Sequence, residues 1–239
     1  MANTYFEFQQ FKVHQEFCAM KVCTDACLFG AWVANWLMHS ELPINQILDI
    51  GAGTGLLSLM LAQNSNTIID AFEIDEGAAK QATENFERSK WSNRLTLLHA
   101  PIQTIVPNQQ YDLIISNPPF YEDDLKSSNT ARNLALHSQA LKLDELLNAI
   151  QQLLTANGFF AIMLPYSRAG QFIEMANRLG FYVEKAANVQ QTELHGFFRT
   201  MLLFSRNSQK PITETILIKN NQTYSEAFRN LLSPFYLPF

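Results

Sequence analysis

The chain has 239 residues, of which 47% are hydrophobic and 16% charged, so its composition excludes a disordered polypeptide and fits one large α/β domain. The net charge of −5 excludes a protein coated uniformly with positive charge for nucleic-acid binding, although it permits local basic patches. The longest apolar runs are far shorter than the roughly 20 residues that span a bilayer, so we expect no membrane segment.

The first 40 residues are expected to form an extension in front of a core of residues 41–239, within a single domain. FKVHQE is predicted to be a short strand, and Thr24 is predicted to cap a helix from Ala26 to Leu37. The extension is expected either to cover a cofactor or to act as a flap that caps the sheet. No basic stretch followed by an apolar stretch opens the sequence, so a cytoplasmic protein is expected.

The cysteines Cys18, Cys23 and Cys27 have the spacing C-x4-C-x3-C. Zinc sites use pairs with the spacing C-x2-C, and no fourth cysteine is present for a four-thiolate cluster. We therefore predict reduced, packed thiols and no metal site.

Apolar runs of strand length alternate with segments of helix length through the middle of the chain. The runs are QILDI (46–50), TIIDAFEI (67–74), RLTLLH (94–99), YDLIIS (111–116) and GFFAIML (158–164). They do not alternate with polar residues, which predicts parallel strands covered by helices on both faces. Beyond Gly180, two runs separated by QQTELHG predict an antiparallel edge hairpin, followed by a strand ETILIK and a helix from Ser225 to Leu232.

The segment DIGAGTG (49–55) joins the first of these strands to an apolar helix, as cofactor-binding turns do. Gly51, Gly53 and Gly55 remove side chains that would block a ligand. Their G-x-G-x-G spacing differs from the G-x-G-x-x-G of dinucleotide sites and disfavours NAD. We predict S-adenosylmethionine (SAM) instead, with its ammonium near Asp49 and its carboxylate on backbone N–H groups.

Glu73 ends the second strand, 22 positions after Gly51, where an acidic side chain can accept hydrogen bonds from both ribose hydroxyls. Asp75 is the alternative ribose ligand, but we predict that it caps the next helix.

The adenine is expected to pack on Ile74. Many SAM enzymes have an aspartate after the third strand, which accepts the adenine amino group, but this chain has Pro101 there. A backbone group of Ile102 is predicted to serve instead.

The segment NPPF (117–120) follows the strand YDLIIS, next to the first strand at the switch point of a doubly wound sheet. The Asn117 side-chain carbonyl and the Pro118 backbone carbonyl are predicted to accept the two hydrogens of an aromatic amino group. Pro118 and Pro119 stiffen the turn. Phe120 is predicted to stack on an extruded base.

A long polar stretch follows this turn, YEDDLKSSNTARNLALHSQALKL (121–143). Its Arg132 and His137 are predicted either to contact RNA phosphates and bases or to lie on the solvated surface.

The segments DIGAGTGLLSLMLAQ, DLIISNPPF, KVCTDACLFGAW and YSEAFRNLLSPFYL resemble the bacterial tRNA adenine-N6 methyltransferases that act on valine tRNA, over nearly the whole chain. The resemblance implies a Rossmann-like class I methyltransferase with a seven-stranded, mostly parallel sheet, SAM as methyl donor, tRNA as substrate and no obligate protein partner. It implies that Asn117, Pro118, Pro119 and Phe120 are catalytic, and that Asp49, Gly51, Gly53, Gly55 and Glu73 bind the cofactor. Pro101, and Leu136 before His137, depart from the family pattern.

Other functions fit parts of the pattern. Methylation of a release-factor glutamine at N5 uses a similar turn, usually with Tyr where Phe120 stands, and guanine-N2 methylation of ribosomal RNA also uses NPPF. A catalytically silent RNA-binding module would not need both Asp49 and Asn117. An NAD-dependent dehydrogenase is disfavoured by the glycine spacing.

Overall fold

A computed structural model describes residues 3–18, 20–104, 109–119 and 142–238, and the statements below refer to these ranges. The helices are α1 (Thr24–His39), α2 (Leu56–Asn64), α3 (Glu76–Glu87), α4 (Leu143–Leu153), α5 (Tyr166–Arg178) and α6 (Glu226–Leu232). The strands are β1 (Tyr5–Glu7), β2 (Lys12–His14), β3 (Gln46–Ile50), β4 (Ile68–Glu73), β5 (Leu95–His99), β6 (Tyr111–Ser116), β7 (Leu154–Pro165), β8 (Tyr182–Gln190), β9 (Phe197–Ser205), β10 (Ile212–Leu217), β11 (Lys219–Asn220) and β12 (Thr223–Tyr224).

The central sheet has the strand order β10-β8-β9-β7-β6-β3-β4-β5. Only β9 is antiparallel to its neighbours β7 and β8, while the other pairs of this sheet are parallel. The carboxyl ends of the parallel strands therefore meet at one edge, which we call the carboxyl edge, and β9 begins there. The glycine-rich turn and Asn117 both lie at this edge, where they follow the neighbouring strands β3 and β6.

The expectation of seven strands is wrong, because β10 pairs with β8 and makes an eighth. The β8–β9 hairpin is antiparallel as predicted, but it lies one strand inside the edge of the sheet. In β10, Ile216 is only 2% exposed, whereas its neighbour Thr215, on the opposite face, is exposed, a difference typical of an edge strand covered on one face.

Apolar layers cover both faces of the sheet. One layer joins side chains such as Ile47 and Leu113 to helices α1, α2 and α6, and the other joins Leu48 and Ile114 to α4 and α5. All residues of α2 from Leu56 to Ala62 are buried, which confirms that this helix lies deep against the sheet. None of the described helices is both long and apolar enough to cross a bilayer.

Two predicted helix caps have different outcomes. Asp75 caps α3, since its side chain accepts a hydrogen bond from the Ala78 N–H at 2.8 Å, as predicted. The prediction for Thr24 is wrong by one residue, because α1 already begins there and Cys23 occupies the cap position without a side-chain hydrogen bond. A residue at the first helical position cannot satisfy the helix N–H groups as a cap does.

The N-terminal segment is held against α3 by two amide side chains that are each 1% exposed. Asn85 Oδ1 accepts from the His14 N–H, and Asn85 Nδ2 donates to the carbonyls of His14 and Thr54, all at 2.9 Å. Gln81 Oε1 accepts from the N–H groups of residues 16 and 17. Because Thr54 belongs to the glycine-rich turn, Asn85 ties the N-terminal segment to that turn.

Candidate cofactor and reaction site

The glycine-rich turn runs from the end of β3 to the start of α2. Its three glycines all have positive φ angles: 75° at Gly51, 56° at Gly53 and 79° at Gly55. The N–H groups of Gly51 and Ala52 donate to the carbonyl of Phe72 on β4, at 2.8 and 3.0 Å. A Cβ at Gly51 or Gly53 would have no neighbouring atom within 4 Å, whereas one at Gly55 would lie 2.5 Å from Phe86 Cε1. Gly55 thus serves packing, and the first two glycines border open space.

We expect Gly55→Ala to lower the free energy of unfolding by about 1–3 kcal/mol, because it combines a left-handed backbone with a clash against Phe86. Urea denaturation measures this change. Gly170→Ala is the matched control, since Gly170 is exposed in α5, has no positive φ and would meet no atom within 4 Å. The control should unfold no more easily than the wild type, because alanine favours the helix. Equal loss in both variants would contradict the packing role of Gly55.

Asp49 is completely buried directly before the turn. Its Oδ2 accepts hydrogen bonds from the Ser58 N–H at 3.2 Å and from the Ser58 hydroxyl at 2.7 Å, while its Oδ1 is buried without a partner among the described residues. Burial raises the pKa of Asp49 to about 7; the hydrogen bonds from Ser58 oppose this shift, and the charge of Glu73 adds to it. A buried carboxylate oxygen without a donor is costly, so this site is suited to a ligand cation.

Glu73 is 9% exposed at the end of β4. Its Oε2 accepts from the Gly53 N–H at 2.7 Å, and its Oε1 accepts from the N–H groups of Ile74 and Asp75, both at 2.9 Å. Three backbone hydrogen bonds orient the carboxylate and leave further acceptor capacity on each oxygen. The side chain is therefore fixed beside the glycine-rich turn before any ligand binds.

Ile74 and Ile102 occupy different environments next to Glu73. Ile74 is 47% exposed, so its side chain is accessible to a flat ligand. Ile102 is 6% exposed and packs into the apolar layer that contains Leu48 and Ile114. The Pro101 carbonyl already accepts from the N–H and hydroxyl of Thr104, at 3.0 and 2.7 Å. The His99 ring, which the sequence patterns did not single out, donates from Nε2 to the Ile74 carbonyl at 3.1 Å. This hydrogen bond links the end of β5 to the residue that follows β4.

Asn117 follows β6, whose last residue Ser116 donates from its hydroxyl to the Ile50 carbonyl on β3 at 2.8 Å. The Asn117 Oδ1 atom is buried and has no hydrogen-bond partner among the described residues. Pro118 is buried and Pro119 exposed, while Phe120 and residues 121–141, including Arg132 and His137, lie outside the described residues.

Asp49 and Asn117 lie close together on neighbouring strands. Asp49 pairs with Ile115, so Asn117 is two residues further along β6. With strand spacing of ~4.8 Å and a rise of ~3.3 Å per residue, their Cα atoms are roughly 8 Å apart. Two unpartnered buried oxygens, one on a carboxylate and one on an amide, thus lie at the same part of the carboxyl edge.

The N-terminal segment lies near Glu73 and Asp75. Cys18 is buried there, and burial together with the charges of Glu73 and Asp75 raises the pKa of its thiol to about 11. Asp25, in the first turn of α1, accepts from Arg199 Nε on β9 at 2.9 Å. The expectation that this segment covers a cofactor, rather than only capping the sheet, stays a prediction.

Sequence patterns had not identified several supporting residues: Ser58, Gln81, Asn85, His99 and Ser116. Only Ser58 carried a usable signal, since it interrupts the otherwise apolar run LLSLMLA. The others depend on contacts between segments far apart in the chain.

Residues 31–162 match the family model described as "Methyltransferase small domain". A tRNA1(Val) (adenine(37)-N6)-methyltransferase of Dyadobacter fermentans is 43% identical, over 99% of both chains. Proteins of the same name from Flavobacterium psychrophilum and Pseudoalteromonas translucida are 43% and 40% identical, over 97% of this chain and at least 98% of theirs.

Solved structures confirm the fold class, a Rossmann-like class I methyltransferase fold. A predicted O-methyltransferase from Agrobacterium tumefaciens superposes with a TM-score of 0.66 over 87% of this chain and 95% of its own, at 12% identity. A putative RNA methyltransferase from Pyrococcus horikoshii gives a TM-score of 0.57 at 15% identity, over 83% of this chain and 93% of its own.

Proposed function

The chain belongs to the methyltransferase small domain family, and from this premise we propose that it methylates the N6 amino group of adenosine 37 in a valine tRNA, with SAM as donor. The observation that carries the proposal is the buried Asn117 Oδ1 at the carboxyl edge, beside Asp49 Oδ1, neither of which has a hydrogen-bond partner among the described residues. The names of the near-full-length relatives support the choice of tRNA and of adenine. A tRNA substrate agrees with the expected cytoplasmic location.

The residues present fit SAM. The orphaned Asp49 Oδ1 can accept the ligand's ammonium, and the open space beside Gly51 and Gly53 admits its amino acid end. Glu73 is oriented to accept the ribose hydroxyls, and the exposed Ile74 can pack on the adenine. When bound, SAM supplies an electrophilic methyl group on a positively charged sulfur.

Asn117 prepares the target amine for attack. The lone pair of an aromatic amine is delocalised into the ring, so the amine is a weak nucleophile. Asn117 Oδ1 and the Pro118 carbonyl can each accept one N–H hydrogen and turn the lone pair out of conjugation. Alignment of this kind supplies several of the roughly 7–11 kcal/mol available from orientation. No acidic side chain is required as a base, because the product amine loses its proton to water afterwards.

The predicted role of Phe120, stacking on the extruded adenine, belongs to the same proposal. Neither rival substrate is favoured: the relatives at about 40% identity carry the adenine-N6 name rather than a guanine-N2 or release-factor name. Retention of Asp49 and Asn117 with buried, unpartnered oxygens speaks against a silent RNA-binding module.

Methyl transfer from radiolabelled SAM tests the proposal. Purified protein is incubated with unmodified valine tRNA, and in parallel with total RNA and total protein from cells. We expect label in the tRNA, recovered as N6-methyladenosine after nuclease digestion, and none in a transcript with guanosine at position 37. Label found only in protein, or only in guanine, would refute the function.

A further inference from the structure

Two aromatic side chains lie next to the reaction turn without a role in the site described above. Strand β7 pairs with β6 in parallel, with Ile162 opposite Ser116, and ends at Pro165. Tyr166 follows immediately, so it lies on the carboxyl edge one strand away from the turn that begins at Asn117. Phe197 begins β9, the next strand of the sheet, at the same edge.

Tyr166 and Phe197 form what we call the edge aromatic pair. Their ring centroids are 5.0 Å apart with an interplanar angle of 41°. Tyr166 is 45% exposed although it is the first residue of α5, and Phe197 is half-buried. Phe197 supports the Tyr166 ring from one side, and the exposed part of that ring remains available to a flat partner.

The turn between β8 and β9, residues 191–196, projects beside the pair. Leu194 at its tip is 95% exposed. The turn is ordered by its own hydrogen bonds, since the Thr192 hydroxyl and His195 Nδ1 are 2.7 Å apart and Gln190 Nε2 donates to the His195 carbonyl at 2.7 Å. The turn therefore presents Leu194 to solvent at a fixed place close to Phe197.

Positive charge flanks these apolar groups. Arg168 is exposed in the first turn of α5, and it forms no ion pair within the described part of the chain. Lys219, the first residue of β11, has its Nζ atom 5.9 Å from the centroid of the Tyr224 ring and likewise forms no ion pair among the described residues. The turn itself contributes only Glu193 as an opposing charge. Exposed aromatic faces beside cations are the chemistry that binds unpaired RNA bases and their phosphates.

We propose that the edge aromatic pair, with Leu194 and Arg168, is the surface on which unpaired anticodon-loop nucleotides flanking the target adenosine are bound. This proposal rests on the proposed tRNA substrate and adds the contact residues to it. Tyr166 stacks on a neighbouring base, Leu194 contacts the next nucleotide, and Arg168 meets a phosphate. The short separation from Asn117 matches nucleotides next to the extruded base rather than a distant part of the tRNA.

Tyr166→Ala and Tyr166→Phe form the decisive pair of variants. We expect the alanine variant to raise the KM for tRNA and the Kd for a fluorescent anticodon stem-loop roughly 5- to 100-fold, as loss of one base stack does. Its Kd for SAM, measured by calorimetry, should be unchanged. The phenylalanine variant keeps the ring and should keep wild-type values. Leu194→Ser, at an almost fully exposed position, should weaken stem-loop binding in the same direction with no effect on stability.

The outcomes separate this inference from the proposed function. If the wild type methylates adenine in tRNA but Tyr166→Ala leaves both KM and stem-loop Kd unchanged, the surface is not an RNA site and the inference fails. If the wild type methylates no tRNA, the proposed function is wrong. The Kd for the stem-loop still tests whether this surface binds RNA. If Leu194→Ser changes the sedimentation coefficient instead of the RNA affinity, the surface binds a second copy of the chain, and the inference is again overturned.

Discussion

Replacing Asn117 by alanine is expected to lower kcat for tRNA methylation by roughly 10²- to 10³-fold, the usual cost of removing one oriented group from a reacting centre. The reason is the buried Asn117 Oδ1, which has no partner among the described residues and is therefore free to hold a hydrogen of the target amine. Without it, only the Pro118 carbonyl orients the amine. The Kd for SAM should stay near the wild-type value, because the predicted cofactor contacts come from Asp49, Glu73 and the glycine-rich turn.

Single-turnover kinetics with radiolabelled SAM measure this loss, and calorimetry measures SAM binding. Asn117→Asp is the matched control, since it keeps an acceptor oxygen in nearly the same volume and should retain more activity than the alanine variant. If Asn117→Ala loses SAM binding together with activity, Asn117 supports the fold of the turn and is not a group that orients substrate.

Asp49→Asn is expected to weaken SAM binding roughly 10- to 100-fold. The buried carboxylate is proposed to accept a hydrogen bond from the ammonium of SAM, and the substitution removes its negative charge. The substitution is nearly isosteric, so the variant should still fold. The KM for tRNA should change little at saturating SAM. An unchanged Kd for SAM would show that the ammonium is held elsewhere.

Asp49 makes the free energy of unfolding of the wild-type protein depend on pH. In the free protein the pKa of Asp49 is raised to about 7 from 3.8, so the folded state keeps a proton that the unfolded state has already lost. Between about pH 4 and pH 7 the folded state therefore binds the extra proton, and the free energy of unfolding falls as pH rises, by about 1.4 kcal/mol per unit for this group. Above the folded pKa this contribution is fully lost.

Binding of a cation has the opposite trend, because the ammonium pairs with the ionised carboxylate. We expect SAM affinity to rise by up to about tenfold per pH unit as pH increases toward 7, and then to level off. Asp49→Asn should show neither trend. Ser58→Ala is an informative control: it removes the hydroxyl that lowers the pKa of Asp49, so the midpoint of the binding profile should move to higher pH. A wild-type profile without this rise would exclude Asp49 as the ammonium ligand.

The central strands could be predicted from the sequence almost residue by residue. QILDI and YDLIIS coincide with β3 and β6, because short apolar runs rich in isoleucine and leucine can be buried as strands covered on both faces. Helix α5 was not anticipated, since its buried residues Ala169, Phe172 and Ala176 are few among polar neighbours. The strand ETILIK was predicted and overlaps β10, whereas the count of seven strands came from the family resemblance. The pairing of β10 with β8 is a contact that local patterns do not encode.

The side chains proposed to bind ligands could be predicted from the sequence, but the residues that position them could not. Asp49, Glu73 and Asn117 were identified because their chemical types stand at the ends of predicted parallel strands, where ligands collect. Their predicted roles are consistent with the geometry and stay proposals until tested. The residues that position them, such as Ser58 and Asn85, became visible only through their hydrogen bonds.

The sequence by itself determined the α/β class, the positions of the core strands along the chain and the residues that end them, because backbone geometry and hydrophobic burial act over short stretches of chain. Only the tertiary structure decided that Asp49 and Asn117 present buried oxygens without partners among the described residues to the same region, and that the N-terminal segment is tied to the glycine-rich turn through Asn85. The physical reason is that hydrogen-bond satisfaction and burial depend on neighbours in space, and segments as far apart as residues 14 and 85 become neighbours only when the chain folds.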